Sequence, residues 1–237
     1  MIQTLLFKLR SLLRSRIYTA NTIRYRVEWP RIREAFEHIG ATGKLFDGGC
    51  GSGEFARRIL AQGLCREVVA LEPSEHNYRQ LKGNLGTYPG VRLLQASLLE
   101  IPEPDASMDM VMSTQVIEHI EDHETAAREL VRILRPGGYA LITVPHPPEP
   151  FFNDDHKREG YTDADLRALF EPLGLTASHS SYFLTKATTD RMARVDRLPL
   201  NGNFLPVAWV DAETQLTAEQ RRADLPYGIL MLFQKAA

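Results

Sequence analysis

The chain has 237 residues, 43% hydrophobic and 24% charged, with a formal net charge of −2, the composition of a soluble globular protein. That length buries one full core, as one α/β domain does, and no apolar run approaches the roughly 18 residues that suggest a membrane span. Two cysteines, Cys50 and Cys65, make neither a disulfide framework nor a metal-ligand spacing, which points to a reducing, cytoplasmic setting.

The charge is unevenly spread. Residues 1–33 hold eight Lys and Arg against Glu28 alone, a net of +7, which leaves −9 on the rest. So acidic a body is a poor binder of nucleic acid, and an anionic partner would have to meet the basic arm.

In chain order, Met1 to Ile17 has the spacing of an amphipathic helix, with Ile2, Leu5, Leu6, Leu9, Leu12, Leu13 and Ile17 on one side. Three settings stay open for it. It suits packing on this domain or on a twin subunit in a homodimer, peripheral contact with an anionic membrane surface, or an organellar presequence. Residues 1–30 therefore read as a basic helix and arm, and 31–237 as the main domain. Trp29-Pro30 predicts a helix from Arg31 to Ile39, stopped by Gly40 and Gly43.

Lys44 to Ala56 then reads as a buried strand, Leu45–Asp47, a glycine loop, and the first turn of a helix running from Glu54 to Gln62. Gly49, Gly51 and Gly53 remove a Cβ where backbone turns tightly or approaches a ligand. A strand that delivers a loop and a helix N-terminus to one point suits a polar, partly anionic ligand. Asp47 at the strand end either orders the loop or meets a cationic group. A second apolar strand, Arg66–Glu72, places Glu72 25 residues after Asp47, where an acid can accept both hydroxyls of a ribose. A solvated acid before Pro73 is the plain alternative.

Ser74 caps a helix to about Leu85, and strands are predicted at Val91–Gln95 and Met108–Ser113. Gln115 to Asp122 lies just beyond the latter, and a helix follows over His123–Leu134. Arg135-Pro-Gly-Gly138 predicts a stop and a turn before the strand Tyr139–Val144. A helix over Thr162–Leu173 and strands at Ala177–Phe183 and Ile229–Gln234 complete the pattern. Such alternation argues a parallel sheet with helices on both faces. The connection Leu184–Gly228 is too long for a turn and reads as an insertion, either a lid over a substrate or a satellite core or dimer contact.

These pieces together resemble the class I S-adenosylmethionine-dependent methyltransferases, in particular the group with quinone-biosynthesis, secondary-metabolite and glycan-tailoring members. The resemblance rests on Leu45-Phe-Asp-Gly-Gly-Cys-Gly-Ser-Gly53, Leu71-Glu-Pro-Ser74, Met108-Asp-Met-Val111, Val116-Ile-Glu-His119 and Leu134-Arg-Pro-Gly-Gly138. It implies a Rossmann-like, three-layer α/β/α sandwich around a seven-stranded, mostly parallel sheet whose last strand is antiparallel.

It also implies roles for residues. Asp47, Gly49, Cys50, Gly51 and Gly53 would hold the methionine end of S-adenosyl-L-methionine, and Glu72 would take the ribose hydroxyls. Ser97 and Leu98 would flank the adenine, with Gln115 and Val116 near the sulfonium. Ala96 stands where the family often has an acid that accepts from the adenine. One quinone-pathway subgroup uses the acids of Glu-Val-x-Glu-His for a metal. Gln115 replaces the first of those acids here, so no metal is expected.

Methyl transfer from a sulfonium needs an aligned acceptor, a dry site and, for an oxygen acceptor, removal of a proton. His119, His146 and His156 follow strands or lie in the acceptor-side segment, and an imidazole titrates near neutrality. They are the catalytic candidates, although His119 can equally fix its loop and His156 can be a solvated loop residue. The expected activity is O-methylation of a small-molecule, glycan or lipid-linked acceptor. The alternatives are a cofactor-binding partner subunit without turnover and a nicotinamide-dependent oxidoreductase.

Overall fold

The computed structural model describes residues 17–18, 20–148, 154–196 and 205–237. The helix expected over 1–17 lies outside them apart from Ile17, which belongs to a two-residue strand, β1 (Ile17–Tyr18). The first described helix, α1 (Ala20–Ile39), carries Pro30 in its interior, whereas the sequence reading began it at Arg31. An internal proline costs about 3 kcal/mol because one N–H is lost and its ring crowds the preceding turn. Val27, Ile32, Ala35 and Phe36 are all buried on this helix. At about 1.5–3 kcal/mol per large apolar side chain, that burial offsets the proline. Gly40 ends the helix in a left-handed conformation, φ +74°, donating its N–H to the Phe36 carbonyl at 2.8 Å.

The next elements are β2 (Thr42–Gly48), α2 (Glu54–Ala61), β3 (Cys65–Leu71), α3 (Glu75–Leu85), β4 (Val91–Leu94) and β5 (Met108–Thr114). Ser74 caps α3 by accepting from the Asn77 N–H. Beyond β5, a single 3₁₀ turn over Ile117–His119 leads to α4 (His123–Ile133), which Asp122 caps through the Thr125 N–H. Ala126, Ala127, Leu130, Val131 and Ile133 form its buried stripe, at helical spacing.

The strand β6 (Leu134–Pro145) begins directly where α4 ends. The sequence reading placed a turn at Arg135–Gly138 instead. The register explains the difference: Met108 pairs with Leu134 and Met110 with Tyr139, so Arg135–Gly138 bulge opposite Asp109 alone. Gly137 there has φ +70°, and a Cβ on Gly138 would lie 2.8 Å from the Asp109 carbonyl oxygen. The two glycines thus serve a bulge inside the strand rather than a turn before it.

The rest comprises α5 (Asp163–Phe170), closed by a capping box between Thr162 and Asp165, then β7 (Leu175–Phe183), α6 (Lys186–Asp196), β8 (Leu205–Pro206), α7 (Val207–Thr214), α8 (Ala218–Ala223) and β9 (Gly228–Lys235). Seven strands form one sheet in the order β4-β3-β2-β5-β6-β9-β7, mostly parallel with the last strand antiparallel, as the resemblance implied. The order reverses at β2, which has β3 on one side and β5 on the other. In an open α/β sheet the crevice beyond such a switch point is the usual ligand site.

The chain forms two compact units, one of Arg33–Ser181 with Ile229–Ala237, the other of the described residues up to Ile32 with Tyr182–Gly228. The second unit thus joins the connecting segment to the N-terminal part of the chain. Within it, β1 pairs antiparallel with β8. Asp224 receives the Ala187 N–H on its carboxylate and the Lys186 N–H on its carbonyl, which caps α6. Glu213 is buried, accepts from the backbone N–H groups of Leu184 and Thr185, and has its carboxyl pushed up by that burial. Of the apolar run Phe204–Val210, only Val210, which is buried, and the exposed Ala208 have described side chains.

Asp109 ties three strands together where they begin. It accepts from Arg135 Nε at 2.6 Å and from the Lys44 N–H at 2.6 Å. Burial works to raise its carboxyl, but the Arg135 and Lys44 hydrogen bonds and the charges of Arg135 and Arg66 outweigh it and hold it below the ordinary range. A depressed folded-state value stabilises the fold above the unfolded carboxylate range, near pH 4, and that contribution disappears as pH falls through the folded value. Asp109→Asn should therefore lower unfolding free energy at pH 7 by about 2 kcal/mol, the scale of a charge-assisted hydrogen bond. The deficit should shrink as urea melts are repeated toward pH 3. A deficit constant over that range would refute the ionic assignment.

Candidate functional site

The glycine loop sits at the switch point and is closed by its own backbone. Gly49 and Cys50 donate their N–H groups to the Leu71 carbonyl at 2.8 and 3.0 Å, and Gly53 donates to Cys50 at 2.9 Å. Gly51 donates to Glu72 Oε2 at 2.9 Å, while Glu72 Oε1 accepts from the Ser74 N–H at 2.9 Å. Glu72 is thus 5% exposed and joins the loop after β2 to the cap of α3. Oε1 also accepts from Asn77 Nδ2 at 3.5 Å, whereas Oε2 keeps a further lone pair for a ligand hydroxyl.

The three spaced glycines all have positive φ but differ in surroundings. A Cβ on Gly49 would meet both methyls of Val116, and one on Gly53 would meet Leu81 and Leu85. A Cβ on Gly51 meets nothing within 4 Å among the described residues. The first and third are therefore packing requirements, and Gly51 borders open space. Asp47, 1% exposed, lies in the buried end of β2 just before this loop. Burial, then the charges of Asp47 and Glu72, push the Cys50 thiol far above its ordinary range, so it stays protonated and is not a nucleophile.

Leu98 is buried, and its Cδ2 lies 2.7 Å from the place where Gly48 would carry a Cβ. Ser97 is exposed and its hydroxyl accepts from the Leu99 N–H at 3.1 Å. Gln115, just past β5, has φ +55°, an uncommon conformation for a side-chain-bearing residue. Its N–H is fixed on the Thr143 carbonyl at 2.8 Å, and its Nε2 is buried with no hydrogen-bond partner among the described residues. A strained backbone that holds a buried amide without a partner among the described residues is what a ligand contact would relieve.

On the other side of the β5 end, the structure brings His119 and His156 together and leaves His146 elsewhere. The two rings meet edge to face at 4.6 Å between centroids. His119 Nδ1 lies 3.2 Å from the Asp155 carbonyl, and its Nε2 lies 3.8 Å from Glu118 Oε1. Glu118 is fully buried. His146 follows β6, where burial lowers its imidazole while Asp165 and a hydrogen bond with the Pro147 backbone oppose that.

Arg158 holds this arrangement together. Its guanidinium donates to the carbonyls of Ile117 at 3.0 Å, Ile120 at 2.9 Å and Glu121 at 3.1 Å, and to the Tyr161 hydroxyl at 2.9 Å. The Lys157 N–H adds a bond to the Glu118 carbonyl at 2.9 Å. Tyr161, pushed up to about 12 by burial, also lies 2.9 Å from His123 Nδ1. A cleft of about 410 Å³ is lined by His123, Arg158, Tyr161 and Asp165 among others, and no glycine-loop residue borders it. An arginine in a charged loop looks solvated in sequence, and nothing there signals that backbone carbonyls surround it.

Comparison with known proteins agrees with this fold. A family described as a methyltransferase domain matches residues 46–142. A protein of Mycolicibacterium smegmatis described as a probable S-adenosylmethionine-dependent methyltransferase is 33% identical over 153 residues, 60% of this chain and 56% of its own. One so described from Mycobacterium tuberculosis is 36% identical over 102 residues, 43% of this chain and 35% of its own. The chain thus spans between about a third and just over half of these relatives. Among solved structures, a Haloferax volcanii methyltransferase in complex with the Trm112 activator superimposes with a TM-score of 0.65 at 18% identity, covering 92% of this chain and 93% of that one. A Burkholderia thailandensis 1,6-didemethyltoxoflavin-N1-methyltransferase with bound S-adenosylhomocysteine gives 0.60 at 18% identity, covering 88% and 77%. At such identities the structures speak to the fold alone. No helix among the described residues is long and apolar enough to cross a membrane. The linked motifs, the reversal of strand order at β2 and these relatives agree: residues 46–142 match a methyltransferase domain, and the chain is similar to S-adenosylmethionine-dependent methyltransferases.

Proposed function

We propose that the chain transfers a methyl group from S-adenosylmethionine to an oxygen of a small-molecule, glycan or lipid-linked acceptor. The observation that carries this is the open face of Gly51, bordered by a loop whose N–H is fixed on Glu72. The buried, unmatched amide of Gln115 points the same way. When bound, S-adenosylmethionine supplies a methyl group activated on a sulfonium. Glu72 accepts the ribose hydroxyls, Asp47 faces the cationic amino group, Ser97 and Leu98 flank the adenine, and Gln115 contacts the sulfonium side. Gly49, Cys50 and Gly53 keep the loop closed around that end.

His119 and His156 form the acceptor-side pole, where an acceptor hydroxyl sheds its proton as the new bond forms. Removing a group engaged in that proton transfer costs about 10²–10⁴-fold in rate. His156→Ala should therefore lower turnover by about 10²-fold and leave affinity for S-adenosylhomocysteine within about twofold. Turnover unchanged with every acceptor would remove His156 from the pole.

The reading itself is tested with methyl-labelled S-adenosylmethionine and host extract, separated into soluble, lipid and polymer fractions. Label in the soluble, glycan or lipid fraction is expected. Label confined to nucleic acid or protein overturns the acceptor class, and label nowhere argues against turnover.

A further inference from the structure

We propose that the cleft between α4 and α5 is a ligand site separate from the glycine loop, and that it takes a free α-amino acid with an aliphatic side chain. The cleft measures about 410 Å³, within the range of about 300–1,000 Å³ typical of small-molecule sites. Its lining comes from the start of α4 and from the stretch Arg158–Leu169.

Its walls carry charges of both signs. Arg158 is cationic, whereas Glu124 and Asp165 are anionic. Burial, then the Arg158 charge, lowers the His123 imidazole, so that ring is mainly uncharged at neutral pH. After burial, Arg158 acts to lower the Tyr161 hydroxyl, while the charges of Glu118 and Asp165 act to raise it. A cation and an anion of the cleft thus flank one buried group. A ligand with only a carboxylate would face Glu124 and Asp165, and one with only an ammonium would face Arg158. A ligand that carries both groups close together meets a partner for each.

These side chains have hydrogen-bonding capacity left. Arg158 Nη1 is taken by the carbonyls of Ile117 and Ile120 and by the Tyr161 hydroxyl, and Nη2 donates to the Glu121 carbonyl. Its Nε–H and second Nη2 hydrogen make no bond among the described residues. Asp165 Oδ2 accepts from the Thr162 N–H at 2.8 Å and from the Thr162 hydroxyl at 2.7 Å, and Oδ1 stays open among the described residues. The Glu124 side chain is 69% exposed and reaches Arg128 only at 3.8 Å. The bonds that Arg158 does make hold its guanidinium in place, so the cationic wall is built before a ligand arrives.

The apolar part of the cleft supplies the rest of the selection. Ala168 and Leu169 lie one turn beyond Asp165 on α5, the first exposed and the second half-buried. An aliphatic side chain laid against them is covered rather than solvated, whereas a charged one would lose water without gaining a partner.

The site does not depend on methyl transfer, and its test needs no acceptor. Full-length protein is saturated with S-adenosylhomocysteine, to fill the glycine-loop site proposed above, and titrated with L-leucine by calorimetry and NMR. L-leucine should bind at one site per chain and shift the ring signals of His123 and Tyr161. Isocaproate, which lacks the ammonium, and isoamylamine, which lacks the carboxylate, should each bind at least tenfold more weakly. Asp165→Asn, whose amide oxygen can still accept from Thr162, and Glu124→Gln, at an exposed side chain, should each weaken L-leucine at least threefold. Absence of L-leucine binding, binding that leaves the His123 and Tyr161 signals in place, a one-charge analogue that binds as tightly, or affinity unchanged in both variants would overturn the site.

Discussion

Gly49→Ala should lower unfolding free energy by about 3 kcal/mol, while Gly51→Ala should lower it by only about 1 kcal/mol and instead weaken cofactor binding. Both residues have positive φ, +75° and +57°, so each alanine meets the same left-handed backbone penalty of about 1–2 kcal/mol. The difference lies in what the new methyl touches. At Gly49 it falls 2.6 Å from both Cγ atoms of Val116, far inside contact distance. Valine is β-branched and stiff about χ1, so it cannot rotate both methyls away. The overlap adds about 1–3 kcal/mol of overpacking. At Gly51 the methyl meets no atom of the described residues within 4 Å. It enters the space assigned here to the methionine end of the cofactor, and affinity for S-adenosylhomocysteine should drop by at least tenfold, about 1.4 kcal/mol. Urea melts and calorimetry on the two variants separate these outcomes. Equal losses of stability, or unchanged affinity in Gly51→Ala, would show that the open face of Gly51 is not where the ligand lies.

How far the sequence speaks for this site depends on the range of each interaction. The glycine loop, Glu72 and the cap at Ser74 were legible because they lie within one strand-turn-helix unit and its neighbour, where residue type and spacing carry the geometry. A mostly parallel sheet with helices on both faces followed because alternating strands and helices leave few ways to connect them. The bulge at Arg135–Gly138 was not legible. Proline and two glycines signal a backbone irregularity, but whether it ends a strand or sits inside one depends on the facing residue, Asp109. Pro30 misled for a related reason: local propensity disfavours a helix that tertiary burial of Val27, Ile32 and Phe36 sustains.

The acceptor-side pole shows the limit most clearly. His119 and His156 are 37 residues apart, and no periodicity joins them. What joins them is Arg158, bonded to the carbonyls of Ile117, Ile120 and Glu121. Carbonyls carry no residue identity, so an arginine that recognises backbone leaves no signature in the partner's sequence. The grouping of Tyr182–Gly228 with the residues up to Ile32 is equally non-local. It is expressed in the Arg26–Asp211 hydrogen bond at 2.7 Å and in the pairing of β1 with β8.

Glu72→Ala is expected to have the largest effect on ligand binding of any single change at the loop. Its two oxygens accept from Gly51 and Ser74, each at 2.9 Å, and the carboxylate is nearly inaccessible. Hydrogen bonds to an ionised group contribute about 1.5–3 kcal/mol each. Loss of both frees the Gly51 peptide and the entry to α3, and unfolding free energy should fall by about 2 kcal/mol, since water can reach part of the space left. If the same oxygens take the ribose hydroxyls, affinity for S-adenosylhomocysteine should fall by more than 100-fold, about 2.7 kcal/mol beyond any change in fold. Glu72→Gln separates the two roles. Its amide oxygen can still accept one N–H, while its NH₂ must face a second donor, so stability should recover to within about 1 kcal/mol of the parent and affinity should stay at least tenfold weaker. Affinity restored along with stability in Glu72→Gln would mean that the residue braces the loop and that the ribose is held by something else. Stability restored with affinity still lost would identify one carboxylate as both the closure of the glycine loop and the recognition of the ligand, which explains why an acid is needed at the end of β3 when a neutral cap would have sufficed for the fold alone.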